Sequence, residues 1–183
     1  MKNFNFRIYL RAIESEDFIL THNWRNDPVY INGVASLKRF SCLDTEKRWI
    51  ESVIRKNETL NSIHLIICLK EDKSSIGMIS LNNIDLINRV AAVGSLIGVK
   101  KHRGKGYLTE ARKIIFDYGF SQIGLNRIQS KVLENNLASR KSVEKFGCTN
   151  EGTLRNAIYK NGKYNNLIMY SMLKSEFYEK YPH

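Results

Sequence analysis

The sequence predicts an α/β fold of the α+β kind, strands and helices around one core, and three observations lead there. Several short stretches alternate apolar and polar residues at a period of two. Others repeat apolar residues every three or four positions. The change from the first pattern to the second falls at a glycine turn, Arg103-Gly104-Lys105-Gly106-Tyr107. A chain of 183 residues has the usual size of one compact domain and buries about 70% of the surface its unfolded form exposes. One domain is therefore expected over residues 1–183.

The elements follow in order. Phe4, Phe6, Ile8 and Leu10 share one face and Asn5, Arg7, Tyr9 and Arg11 the other, the mark of a half-buried strand. Ser15 followed by Glu16 and Asp17 reads as a helix cap with an acidic first turn, and Asn26-Asp27-Pro28 stops that helix. Asp44 or Thr45 caps a second helix, which buries Trp49, Ile50, Val53 and Ile54 at helical spacing. Residues 63–69, 76–81 and 90–99 read as an antiparallel meander, divided by Glu71-Asp72-Lys73-Ser74 and by residues 82–89. After the glycine turn, Leu108, Ala111, Ile115 and Tyr118 line one helical face, with Thr109, Glu110, Arg112, Lys113 and Asp117 turned away. Residues 126–132 alternate again, and a short helix from about Asn136 to Phe146 is closed by Gly147. Residues 167–173 are apolar on both faces, as in a strand inside a sheet, after a turn at Asn161-Gly162.

Composition removes several classes of function. An apolar fraction of 43% with only 2 prolines and 11 glycines argues against disorder or a fibrous repeat. Residues 1–13 lack the unbroken apolar stretch of a secretory signal, so export is not expected and the cytoplasm is. The longest weakly polar run, 90–99, is half the length that crosses a bilayer, so no membrane span is expected. Cys42, Cys68 and Cys148 are odd in number and far apart, and His22, His64, His102 and His183 are scattered, so neither a disulfide framework nor a metal site is expected. The net charge of +11 favours an anionic partner: a coenzyme phosphate, a nucleotide sugar or RNA. No basic run of nucleic-acid length stands out.

The glycine turn is the feature with chemistry in it. A strand, a tight turn and a helix start together aim successive backbone N–H groups one way, where the peptide dipoles add about half a positive charge. Gly104 and Gly106 carry no Cβ, so an anion can approach the main chain, and Lys100, Lys101, His102, Arg103 and Lys105 add positive potential. Two better-known phosphate loops do not fit. A P-loop needs four residues between its first two glycines, whereas five lie between Gly98 and Gly104, and Gly106 rather than Ser or Thr follows Lys105. A dinucleotide fingerprint needs a third glycine where Thr109 stands.

The run Arg103-Gly104-Lys105-Gly106-Tyr107-Leu108-Thr109-Glu110-Ala111 resembles the coenzyme A motif of GNAT-fold acetyltransferases. The likeness continues through Leu125-Asn126-Arg127-Ile128, Asn136-Leu137-Ala138-Ser139, Glu144-Lys145-Phe146-Gly147, Glu151-Gly152-Thr153-Leu154-Arg155 and Gly162-Lys163-Tyr164. With Trp24-Arg25-Asn26-Asp27 near the start, it covers residues 7–173 and is nearest the RimJ/RimL-like branch. It implies a mixed, mostly antiparallel sheet of about seven strands with about four flanking helices. That sheet splays between its fourth and fifth strands, here 90–99 and 126–132. It also implies acetyl-CoA as co-substrate, with pantetheine in the opening. Leu96, Ile97, Gly98 and Val99 would then bond the pantetheine arm like an added strand, and Arg103, Gly104, Lys105, Gly106, Tyr107 and Leu108 would wrap the pyrophosphate. Asn136 would contact the arm, and Ser139 would lie near the sulfur.

The reaction implied is direct attack of a neutral primary amine on the thioester, needing positioning, an oxyanion partner and proton management. Val143 stands where many family members carry a Tyr that protonates the leaving thiolate, which leaves Ser139 as the hydrogen-bonding candidate. No base is identified: Ile158 replaces a Glu of related enzymes, and Glu46, Glu134 and Glu151 read as solvated structural carboxylates. Leu108, Cys148 and Asn166 also depart from the family pattern. The acceptor implied is a protein N-terminus, ribosomal-protein-like, or a small molecule. An amino-sugar nucleotide stays open, and so does a non-catalytic acetyl-CoA-binding module. A polyamine is less attractive beside this positive charge. Nucleic acid would be met only through a ribosomal substrate, and a homodimer accords with the family.

Overall fold

A computed structural model describes residues 5–36 and 41–182; Phe4 and His183 of the sequence reading lie outside them. The chain runs β1 (Ile8–Ala12), α1 (Phe18–Arg25), α2 (Pro28–Gly33), α3 (Leu43–Glu58), β2 (Ser62–Leu69), β3 (Ser75–Asp85), β4 (Val90–Ile97), α4 (Tyr107–Ser121), β5 (Arg127–Leu133), α5 (Leu137–Phe146), β6 (Thr149–Lys160), β7 (Lys163–Leu173) and α6 (Lys174–Lys180). The sheet order is β1-β2-β3-β4-β5-β7-β6, with every neighbouring pair antiparallel except β4 and β5.

Both faces of the meander are covered, which is why its strands read as nearly continuous apolar runs. One face sends Ile8, Ile67, Ile79, Leu81 and Ala91 against Ala111, Ile115, Phe116 and Phe120 of α4, Phe146 of α5 and Phe177 of α6. The other sends Ile66, Cys68, Met78 and Leu96 against Trp24 of α1 and Ile50 and Val53 of α3. Strand alternation assigns these sets from one sequence, since neighbouring side chains point to opposite faces. Phe116 meets Phe120 and Phe146 edge-on, the latter at 5.0 Å between centroids, an arrangement that adds roughly 1 kcal/mol beyond burial.

Several local readings need correction. The first helix opens as a 3-10 turn over Ser15–Asp17 whose cap is Glu14, not Ser15; Glu14 N donates to Asp17 Oδ2 at 2.9 Å. The α3 cap is Cys42 rather than Asp44 or Thr45. Pro28 ends one helix and also opens another: it is the first residue of α2, capped by Asp27, and proline suits that position because its missing N–H would have no helical acceptor. β3 runs on to Asp85 through residues read as a loop. Arg112, expected to face solvent, is buried between α4 and α5, where it donates to Ser142 O at 3.2 Å and Ser142 Oγ at 2.8 Å. Its guanidinium carbon stands 6.0 Å from the Phe146 ring centroid.

The sequence reading gave no pattern for β6. Nearly all its residues are exposed on the sheet edge, and its register shifts twice, so no alternation marks it. The turn after it is as read: Lys160 pairs with Lys163 across Asn161 and Gly162, both at positive φ (54° and 77°), the two-residue geometry that Asn-Gly favours.

Candidate active site

β4 and β5 pair only at Val90, Ala91 and Ala92, opposite Arg127, Ile128 and Gln129. Beyond Ala92 they part, and the second halves of both strands face an opening in the sheet. On β4's other edge the ladder to β3 continues to Ile97, and Gly98 N and Val99 N both donate to Ile76 O, at 2.9 and 3.2 Å. Ladder alternation therefore turns the backbone groups of Ser95 and Ile97 toward the opening. Of the four residues 96–99, Leu96 buries its side chain beside Trp24, and the Gly98 and Val99 amides are engaged with β3.

Arg103 also occupies this end of β4. Its Nε donates to Ile97 O at 2.9 Å, one terminal nitrogen donates to Gly98 O at 3.1 Å, and the same nitrogen lies 3.3 Å from Asp27 Oδ2. The side chain thus folds over the strand end and does not reach out from the turn.

The turn itself is shaped as an anion cradle. Gly104 and Gly106 sit at φ +74° and +85°, a left-handed conformation that costs other residues roughly 1–2 kcal/mol. A Cβ at Gly104 would meet nothing within 4 Å, so glycine is needed there for backbone shape and open approach and not to avoid a clash. The N–H groups of Gly104, Lys105, Gly106, Tyr107 and Leu108 have no acceptor among the described residues; the next two, Thr109 and Glu110, donate to Gly106 O. An α-helix leaves its first amides unpaired, and here the two-glycine turn extends that row. Lys105 and Lys101 are exposed beside it. His102 keeps a buried Nδ1 with no partner among the described residues and meets the Tyr107 ring edge-on at 5.7 Å. Leu108 is half-buried against the α4 core.

Arg7, just before β1, holds the turn from behind. A terminal nitrogen donates to Lys105 O at 2.8 Å, Nε to Glu110 Oε1 at 2.7 Å, and the guanidinium stacks 4.4 Å from the Tyr107 ring centroid. No local signal in the sequence marks Arg7, because its partners lie about a hundred residues away.

Across the opening, Asn136 caps α5: Oδ1 accepts from Ser139 N at 3.1 Å and Nδ2 donates to Gly33 O at 2.8 Å. The half-buried Ser139 hydroxyl has no partner among the described residues. Val143 is buried with Val132, Ile168 and Tyr170, so it packs the core and does not face the opening. The carboxylates read as solvated differ among themselves. Glu46 is only 2% exposed and bonds Arg25 at 3.1 Å through both oxygens, with Arg25 stacked 4.0 Å over Trp49. Glu151 is bound by Arg127 and accepts from Ser171 Oγ at 2.7 Å, and these bonds hold its carboxyl down to about 2. Glu134 is exposed and accepts from Asn166 Nδ2 at 3.0 Å. Ile158 is half-buried on β6, and Tyr159 and Tyr164 are exposed and pair edge-on at 5.4 Å. Among the described residues no His, Cys, Asp and Glu set is placed to hold a metal ion, and no helix is long and apolar enough to cross a membrane.

The comparisons agree with this geometry. The acetyltransferase (GNAT) domain family matches residues 7–149. YdaF of Bacillus subtilis (strain 168), provisionally named a ribosomal N-acetyltransferase, is 40% identical over 106 residues, 58% of this chain and 57% of that protein. A crystal structure of a protein described as a probable acetyltransferase superposes with a TM-score of 0.82 at 31% identity, covering 93% of this chain and 94% of the other. The fold is also that of a Vibrio cholerae spermidine N-acetyltransferase solved with CoA and spermine, with a TM-score of 0.84 at 24% identity over 93% of this chain and 98% of that one. A sheet opened after three parallel pairs, a two-glycine turn with a row of unpaired amides, and a family match across most of the length lead to one identity. The chain belongs to the acetyltransferase (GNAT) domain family and is an acetyl-CoA-dependent N-acetyltransferase.

Proposed function

We propose that the enzyme acetylates the free α-amino group of a protein N-terminus, ribosomal-protein-like as in the RimJ/RimL-like branch, within one catalytic unit spanning residues 7–173. The observation that carries the donor half is the row of five amides, Gly104 to Leu108, without an acceptor among the described residues. In this reading they bind the coenzyme's pyrophosphate, the edge of β4 at Ser95 and Ile97 bonds the pantetheine arm, and Lys101 and Lys105 screen the phosphate charge. The neutral amine adds to the thioester carbonyl, the tetrahedral oxyanion collapses, the carbon–sulfur bond breaks, and the amine's proton passes to solvent. Ser139 Oγ, with its hydroxyl uncommitted, donates a hydrogen bond to the departing thiolate.

A protein N-terminus is favoured over a polyamine by charge. Glu46 is neutralised by Arg25, Asp27 by Arg103 and Lys100, and Glu151 by Arg127. A polycation needs several uncompensated carboxylates, because each ammonium entering a partly desolvated site must be paired. This acceptor implies the cytoplasm as compartment. A homodimer is part of the proposal, supported by the long exposed outer edge of β6, which pairs with no strand among the described residues.

The test has two steps. Acetyl-CoA at about a hundred times its dissociation constant should raise stability by roughly 2.7 kcal/mol, and Gly106→Val should remove that shift; an unchanged shift would refute the cradle. Thiol release is then followed with N-terminal peptides, amino-sugar nucleotides and polyamines. Turnover confined to one of the other amines would replace the peptide acceptor, and tight binding with no release across the panel would leave a non-catalytic acetyl-CoA-binding module.

A further inference from the structure

The short helix α2 and the residues after it are held by polar ties. No residue of α2 is buried, although Tyr30 packs partly against the Trp24 cluster. A six-residue helix without a buried face has little intrinsic stability, since the nucleation cost of a helix is recovered only over many residues or by packing. What fixes it is four side chains from three distant parts of the chain. Arg103, at the end of β4, meets Asp27 Oδ2 at 3.3 Å, with Lys100 at 3.7 Å. Asn136, at the end of β5, donates to Gly33 O at 2.8 Å. Lys160, at the tip of the β6–β7 hairpin and 5% exposed, donates to Ile31 O and Val34 O at 2.5 Å each and to Ser36 O at 3.3 Å.

The placement of the first two ties matters most. Asp27 and Gly33 are the two ends of α2, and they attach to the ends of the two strands that diverge. Six helical residues extend about 9 Å at 1.5 Å each, about twice the 4.8 Å between paired strands. The helix is therefore long enough to span two strands that have parted, and its two ends are tied to the segments that follow them.

We propose that residues 27–36 form a strap across the mouth of the donor opening, and that Asp27, Arg103 and Asn136 are positioning residues that make its order depend on coenzyme occupancy. The inference rests on the donor site proposed above. Arg103 and Asn136 each bond the strap with one atom and the lining of the opening with another: Arg103 reaches Asp27 with a terminal nitrogen, which also meets Gly98 O, and Ile97 O with Nε, while Asn136 reaches Gly33 O with Nδ2 and the Ser139 amide with Oδ1. Coenzyme in the gap fixes the strand ends and the segments just beyond them that carry Arg103 and Asn136, and fixed anchors hold the strap. By linkage, a strap held in place strengthens coenzyme binding by the same factor.

Amide hydrogen exchange of the full-length protein with CoA as probe tests this without knowing the acceptor. The strap reports through Ile31 N and Val34 N, which donate to Asp27 O and Tyr30 O; the cradle reports through residues 104–108. Asp27→Asn keeps an equally good helix cap for Val29 N while removing the charge that holds Arg103. Arg103→Gln cuts the same tie from the other side.

In the wild type, CoA should slow exchange at both places. In either variant, Ile31 and Val34 should exchange at least fivefold faster and lose most of their CoA protection, with residues 104–108 still protected. The double variant should be no worse than the singles, because both remove one interaction. Protection of 104–108 without any at the strap would overturn the proposal, as would strap exchange unchanged by Asp27→Asn. Loss of protection at 104–108 in Arg103→Gln would make Arg103 a direct ligand and overturn it too. CoA that protects neither region would sink the donor-site reading along with the strap.

Discussion

The indole of Trp24 fills the space that a side chain at Gly98 would need: a Cβ built on Gly98 would stand 2.1 Å from Trp24 Cγ. Gly98 lies between β4 and the two-glycine turn, and its glycine character serves packing, since the absent side chain lets α1 seat its tryptophan against the end of the strand.

Gly98→Ala is expected to destabilise the protein by about 1–3 kcal/mol, the usual range for overpacking a filled core. Trp24→Leu should lose stability alone, yet relieve part of the Gly98→Ala penalty in the double variant, since the clash involves the ring. Chemical denaturation of the four proteins measures the coupling, and strictly additive losses would mean that the two residues do not compete for one space.

Arg7 acts on the turn through geometry. Arg7→Ala should raise the dissociation constant for acetyl-CoA by roughly three- to tenfold while changing stability by less than about 1 kcal/mol, because the side chain is about half exposed and exposed ion pairs contribute little. Arg7→Lys should not restore affinity: a single ammonium cannot bond Lys105 O and Glu110 while stacking on Tyr107. Isothermal titration beside a melting curve separates the two effects.

His64 sets an acid-side limit on stability. Burial between β2 and α3, with Lys56 and Arg25 nearby, pushes its pKa from 6.5 down to about 4. Between those values the unfolded chain holds a proton that the folded chain does not, so stability falls as pH drops through that window, by at most about 3 kcal/mol. His64→Gln should flatten the denaturation midpoint between pH 6.5 and 4; an unchanged slope would assign the acid sensitivity elsewhere.

Arg112 carries a buried charge whose hydrogen bonds among the described residues go to Ser142. Ser142→Ala removes the shorter of the two and should cost about 1–3 kcal/mol, the penalty of an undersatisfied buried donor. Its readout is urea unfolding, and a loss below about 0.5 kcal/mol would show that the guanidinium finds another acceptor.

The meander, the turn and the helix after it were legible because each is local. Ile66 and Ile67 declare a strand covered on both faces, Gly104 and Gly106 declare a turn, and Ala111 and Ile115 declare the buried side of a helix. What was missed is non-local or solvated. β6 shows no alternation because almost all of it meets water, and α2 has no buried side chain to give it a period. Arg112 read as a surface residue because the pattern of one helix does not show that α5 lies against its far side. Glu46 read as solvated for the same reason, its partner Arg25 being on another helix.

The sequence by itself determined the class of fold and the position of the two-glycine turn between strand and helix, since periodicity and glycine positions act within a few residues of themselves. Tertiary structure alone decided that β4 and β5 separate after Ala92, that Arg103 turns back over Ile97 and Gly98, and that Asp27, Gly33 and Ser36 are drawn to three remote side chains. The ties of Asp27, Gly33 and Ser36 join groups 76, 103 and 124 positions apart. No local preference encodes such pairings, because they form only when the core has brought the strand ends together.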